Sequence, residues 1–188
     1  MSRCYRISVS ESLRRHVDVE DGIEVSLELL DILPPEQMRE LLADQLTGLG
    51  YETEDEQIWT KKLDNGVTIT VDVEAGTVHI GLAAEEDLDL ELKRSTATVE
   101  EQRNRTEKQL REKTRADLER EADAATEALR VEVTRQLEES LGEIRRELDG
   151  AVNRATGEAL KIKARQLGEV QEISEDPETG AVTIRVKV

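Results

Sequence analysis

The stretch ADLEREADAATEALRVEVTRQLEESLGEIRREL, residues 116–148, decides how the chain must be read: it contains no proline and repeats small or apolar residues every three or four positions. That spacing is the signature of an amphipathic helix. The stripe runs through Leu118, Ala122, Ala125, Leu129, Val133, Leu137, Leu141, Ile144, Leu148, Val152, Ala155, Ala159 and Ile162. These are 12 steps over 44 residues, a mean of 3.67. A period of 3.67 matches an 11-residue repeat, so any coil is expected to be nearly straight or weakly right-handed.

Helical patterning extends from about Ser95 to Leu167, which at 1.5 Å per residue is roughly 110 Å. Gly142, Gly150 and Gly157 are the available breaks for an internal hairpin. All lie well past the midpoint and the stripe continues through them, which favours one continuous or gently bent helix. Acid-to-base pairs three residues apart, among them Glu112 with Arg115, Asp117 with Arg120, Glu127 with Arg130, Glu132 with Arg135 and Glu143 with Arg146, decorate it. Each contributes only about 0.2–0.5 kcal/mol, so packing of the stripe has to supply most of the stability. Leu118, Leu129, Val133, Leu137, Leu141, Ile144, Leu148 and Val152 are therefore the expected interaction residues, for a partner or for a second copy in a homo-oligomer.

Outward from the helix the period changes to two. Tyr5, Ile7 and Val9 share one face of a first strand, and Leu13, Val17 and Val19 share one face of a second, with SES at 10–12 read as the turn between them. EDG at 20–22 is read as a second interruption before a third strand, IEVSLELL. LPP at 33–35 then opens a short helix in which Met38, Leu41, Leu42, Leu46 and Leu49 recur, with proline at its first position and Gly48 and Gly50 at its end.

Two hairpins follow. Around Asp64-Asn65-Gly66, a three-residue loop with left-handed Gly66 pairs Leu63 with Val67 and Trp59 with Val71, whereas a two-residue loop would put Trp59 opposite Asp72. Around Glu74-Ala75-Gly76 the expected pairs are Val73 with Val78 and Val71 with Ile80. EEDLDLELK, with Leu88, Leu90 and Leu92 alternating, reads as an acidic edge strand. The chain closes with a turn at 176–180 and a strand in which Val182, Ile184, Val186 and Val188 alternate with polar residues.

The expected architecture is α+β: a small N-terminal antiparallel β-sheet with one short helix, then a long coiled-coil-like helix, then a C-terminal β-hairpin. Its parts are an acidic α+β unit at 1–94, the helix at 95–168 and the hairpin at 169–188. The aromatics are limited to Tyr5, Tyr51 and Trp59, so the core depends on aliphatic residues and alanine.

The net charge of −17 is unevenly placed. Residues 1–94 carry 9 Lys/Arg against 22 Asp/Glu, or −13, while residues 95–168 carry 15 against 16. Phosphate-rich partners would be repelled by the acidic part, so nucleic acid or an anionic membrane is not the expected target. Cys4 is the only cysteine, which excludes an intrachain disulfide and any CxxC site. No run approaches the ~20 apolar residues of a membrane span, and a cytoplasmic protein is expected.

The phosphate-loop, dinucleotide, nucleophile-elbow, zincin and EF-hand patterns are all missing from the sequence. His16 and His79 alternate onto polar strand faces and would hold a metal only if those faces met beside a carboxylate. Two exposed histidines are the plainer reading, as a free thiol is for Cys4 and a core residue for Trp59. The clusters at 51–56 and 85–92 lack the ligand spacing of a calcium loop.

Three stretches carry a resemblance: SVSESLRRHVDVEDGIEVSLELLDILPPEQM near the start, RRELDGAVNRATGEALKIKARQLG late in the helix and EISEDPETGAVTIRVKV at the end. Together they resemble an accessory protein family of bacterial FtsH ternary systems. The resemblance covers nearly the whole chain and includes no catalytic signature. It implies an accessory protein working beside an FtsH-like AAA ATPase, a MoxR-type ATPase and a von Willebrand A-domain protein, and it assigns no site residue. A non-catalytic adaptor or scaffold, without a cofactor, is the expected function. The alternatives are a chaperone-like client-holding protein and a metal-dependent enzyme using His16 and His79.

Overall fold

A computed structural model describes residues 4–55, 57–175 and 182–187. The elements in chain order are β1 (Cys4–Ser26), α1 (Pro35–Gly48), β2 (Glu52–Thr53), β3 (Ile58–Lys62), β4 (Thr68–Asp72), β5 (Thr77–Val99), a 3₁₀ turn (Glu100–Gln102), α2 (Arg103–Leu167), β6 (Glu169–Glu175) and β7 (Val182–Lys187). One sheet has the order β1-β5-β4-β3-β2 and a second holds β6 and β7. This is the expected α+β class: antiparallel sheet, short helix, long helix, C-terminal hairpin. The chain divides into two compact units, residues 1–21 with 83–135 and residues 22–82 with 136–188.

In the first unit the N-terminal part of β1, the C-terminal part of β5 and the start of α2 pack together. Ile7, Val9, Val17, Val19 and Leu88 are buried on the strands, and Thr114, Leu118, Ala122 and Val133 on the helix. The expected turns at 10–12 and 20–22 do not form, and Glu11 and Asp21 in them have partners on α2. Glu11 accepts from Arg115 at 2.9 Å. Asp21 accepts from the Thr134 hydroxyl at 2.6 Å. Arg15 pairs with Asp123 at 2.6 Å. Glu11 and Asp21, at the two apparent breaks in the apolar pattern, are instead fasteners, and β1 runs on as one 23-residue strand.

β5 likewise absorbs segments that look separate. TVHIGL, the acidic stretch and residues 94–99 form one strand. Residues 95–99 are strand rather than helix; their alternation of half-buried Thr96 and buried Thr98 continues that of Leu88, Leu90 and Leu92. The acidic segment is part of β5 rather than a separate strand, and it lies beyond Thr77–Gly81, the stretch of β5 that pairs with β4.

In the second unit the sheet's inner face carries Trp59, Val67, Ile69, Val71, Val78, Ile80 and Leu82, all buried. α1 contributes Met38, Leu42 and Leu46, and α2 contributes Leu137, Ile144, Leu148, Ala151, Ala155 and Ala159. Alanines at the last three positions allow close approach, and Ala159 packs with Leu33 and Met38. α1 starts with Pro35 in its first turn, as expected.

The β3–β4 loop has the three-residue form. Trp59 faces Val71, the Leu63 amide donates to the Val67 carbonyl at 2.8 Å, and Gly66 has φ +87°. The β4–β5 register differs from the expected one by two residues, with Val71 opposite Val78 and Ile69 opposite Ile80. The Asp72 carboxylate causes this by accepting from the amides of Glu74 and Ala75 at 2.9 and 2.8 Å, which sets a longer turn. A slip of two preserves the buried face. Gly22 sits within β1 where a Cβ would lie 2.9 Å from His79 Nε2, a close approach that explains glycine inside a strand.

β6 and β7 pair with each other, Val170 opposite Val186 and Ile173 opposite Ile184, with an irregularity between Val170 and Glu172. Their sheet is separate from the five-stranded one. The expected turn at 176–180 and the inward position of Val188 lie outside the described residues.

Candidate interaction surface

α2 is one helical element through Gly142, Gly150 and Gly157. Of the eight expected interaction residues, Leu118, Val133, Leu137, Ile144 and Leu148 are buried within the chain, while Leu129, Leu141 and Val152 are half-buried. Each unit thus covers most of its own share of the stripe. Three of the expected i to i+3 pairs are present: Asp117–Arg120, Glu127–Arg130 and Glu132–Arg135. Arg115 turns to Glu11 instead, and Arg146 donates to the Gly142 carbonyl.

The outer face of the first unit's ribbon is polar. Arg14 pairs with Asp89 at 3.1 Å, His16 with Asp87 at 2.8 Å, and Ser10 donates to Glu91 at 2.9 Å. The sums 14 + 89 and 16 + 87 are equal, as an antiparallel register requires. Hydrogen bonding to Asp87, then its charge, with Glu85 and Asp18 adding to it, raises the His16 pKa. His79 belongs to the second unit. Among the described residues no group of three or more His, Cys, Asp or Glu side chains is placed to hold a metal.

The second unit holds a polar cluster that the sequence does not announce. Lys61 Nζ lies 2.9 and 3.0 Å from the two carboxylate oxygens of Glu147 and 5.1 Å from the Tyr51 ring centroid, a cation–π distance. Burial, then the negative charge of Glu147, pushes the Tyr51 hydroxyl pKa well up. A phenol held neutral in this way is a poor nucleophile or base, and the cluster clamps β3 to α2. Asn65 donating to Ser140 at 2.8 Å and Arg154 donating to Gln45 at 2.9 Å complete the fastening of α2 to the hairpin and to α1.

One concavity stands out in this unit, a groove of about 920 Å³ between the end of β1 and α2. Its apolar walls are Ile23, Val25 and Leu27 on one side and Leu141, Leu148 and Val152 on the other. Arg145 and Asp149 lie on the helix wall. Three of the expected interaction residues therefore line it. What the sequence pattern cannot show is the other wall, because the position of 23–26 at a sheet edge depends on β1 pairing with β5, some fifty residues away.

The model of the FtsH ternary system domain X5 matches residues 1–188. The chain belongs to the FtsH ternary system domain X5 family. The earlier resemblance thus stands over the full length, and the X5 chain is a component of a bacterial multi-protein system. No curated protein and no solved structure matches it. Among the described residues of this X5 domain no helix is long and apolar enough to cross a membrane.

Proposed function

We propose that this X5 chain is a non-catalytic adaptor or scaffold, working in the cytoplasm beside the ATPases of its system. The observation that carries the reading is its membership, over residues 1–188, of a family defined by a ternary system. The side-chain chemistry supports it. The part-buried polar cluster Lys61–Glu147–Tyr51 joins elements of the fold, and His16, its pKa raised by Asp87, sits on an exposed face paired with that carboxylate. Leu141 and Val152 are the stripe residues that remain accessible beside a concavity, and with Leu129 they are the part of the stripe open to a partner. Leu118, Val133, Leu137 and Ile144 serve the interaction indirectly, by holding α2 in place, while Leu148 does so and also forms part of the groove wall.

The partners proposed are the FtsH-like AAA ATPase, the MoxR-type ATPase and the von Willebrand A-domain protein of the same system. Affinity capture through a tag on this chain, after co-expression with each of the three, tests the reading. At least one is expected to co-purify, and Leu141→Glu is expected to reduce its recovery while the chain stays folded. Recovery of none of the three with a folded chain would overturn the adaptor reading.

A further inference from the structure

We propose that the groove beside β1 binds an extended segment of a partner protein as an added β-strand, one in which apolar residues alternate with lysine or arginine. The proposal rests on the adaptor reading only in taking the partner to be a protein. Three observations converge on it.

The first is the free edge. β1 is the terminal strand of its sheet, and among the described residues no strand pairs with its outer side. The Leu27 amide donates to the Gly76 carbonyl at 2.8 Å, so its backbone polar groups face β5. Backbone direction alternates along an antiparallel strand. The N–H and C=O groups of Glu24 and Ser26, both within β1, therefore face outward, which is the template for strand addition.

The second is the apolar trench on one face of that edge. Ile23, Val25 and Leu27 are half-buried and point toward α2. A strand laid along the edge would direct every second side chain into the space bounded by these residues and by Leu141, Leu148 and Val152. Small or medium apolar side chains fit there, and the specificity of strand addition comes from such alternate pockets.

The third is charge. Exposed Glu24 stands on the opposite face of β1, and exposed Glu28, two residues past the end of β1, lies beside the groove; the chain carries no lysine or arginine between Arg15 and Arg39. Residues of the added strand next to these carboxylates would meet them at close range, where opposite charge stabilises a cross-strand pair and like charge destabilises it. Edge, trench and carboxylates thus specify one ligand: apolar inward, basic outward.

The test uses the full chain and a fluorescein-labelled peptide of alternating valine and lysine, read by fluorescence anisotropy. Saturable binding is expected, about tenfold or more weaker for a valine–glutamate peptide and for a peptide of the same composition in blocks. Ser26→Pro removes an outward N–H without touching the β5 ladder and is expected to weaken binding about tenfold. Should that variant fold poorly by circular dichroism, the exposed double change Glu24→Lys with Glu28→Lys provides the same expected loss.

Equal binding of all three peptides, no binding of any, or full affinity in the folded double variant would overturn the proposal. So would a dimer of the chain that Ser26→Pro dissolves, since that assigns the edge to a second copy. The two readings fail separately. Co-purification that survives Ser26→Pro leaves the adaptor and removes the groove, whereas peptide binding without co-purification leaves the groove and removes the named partners.

Discussion

Truncating Leu137 separates an internally packed stripe from one that waits for a partner. Leu137 is 1% exposed, while Val131, on the same helix, is 60% exposed. Leu137→Ala removes three carbons from a site that water does not reach, about 2.4 kcal/mol of transfer free energy at ~0.8 kcal/mol per carbon. The residual cavity adds to this, and buried leucine truncations run at about 2–5 kcal/mol. At about 3 kcal/mol, and about 2–4 °C per kcal/mol for a chain of this length, the melting temperature falls by about 6–12 °C. Val131→Ala changes stability by about 0.5 kcal/mol or less, or roughly 1–2 °C. Thermal melts followed by circular dichroism on the isolated chain, at several concentrations, read both. A Leu137→Ala melt within 2 °C or so of the parent, or a deficit that disappears at low concentration, would refute the reasoning, because it would place the side chain against something other than its own sheet.

Three further outcomes follow from particular contacts. Lys61→Met leaves Glu147, only 31% exposed at its side chain, without its cation and strips Tyr51 of its cation–π partner; a loss of about 1–3 kcal/mol is expected in urea unfolding, between the values for exposed and buried pairs. Gly66→Ala places a Cβ at φ +87°, 3.4 Å from Leu82 Cδ1, and should destabilise by about 1 kcal/mol or more in the same assay. The raised pKa of His16 means that its contribution to stability is fully present below the unfolded value near ~6.5 and is lost as pH rises through the folded value. An NMR titration should place His16 above that value, and Asp87→Asn should bring it back down.

Much of the fold is legible because short-range chemistry determines it. Pro35 and the Met38–Leu42–Leu46 spacing mark α1, parity around Gly66 selects the three-residue loop, and the stripe from Leu118 marks α2. The misreadings share one cause. Glu11 and Asp21 look like turn residues because their partners Arg115 and Thr134 lie about a hundred residues away. No local window contains both members of such a pair. The β4–β5 register turns on the side chain of Asp72 rather than on the apolar alternation, which fits two registers equally well. Half of the candidate groove is visible in sequence as Leu141, Leu148 and Val152. Its other half is a strand edge, and an edge is a property of sheet order, which no single strand encodes.

Amide hydrogen exchange at Glu24 and Ser26 tests the central claim most directly, measured on the isolated chain and on its complex with whichever component of the ternary system co-purifies. Outward-facing amides on an open edge should exchange rapidly in the free chain and become protected in the complex, with Leu27, already bonded to Gly76, changing little. A complex that leaves the amides of 24 and 26 exchanging at their free rates would contradict the account.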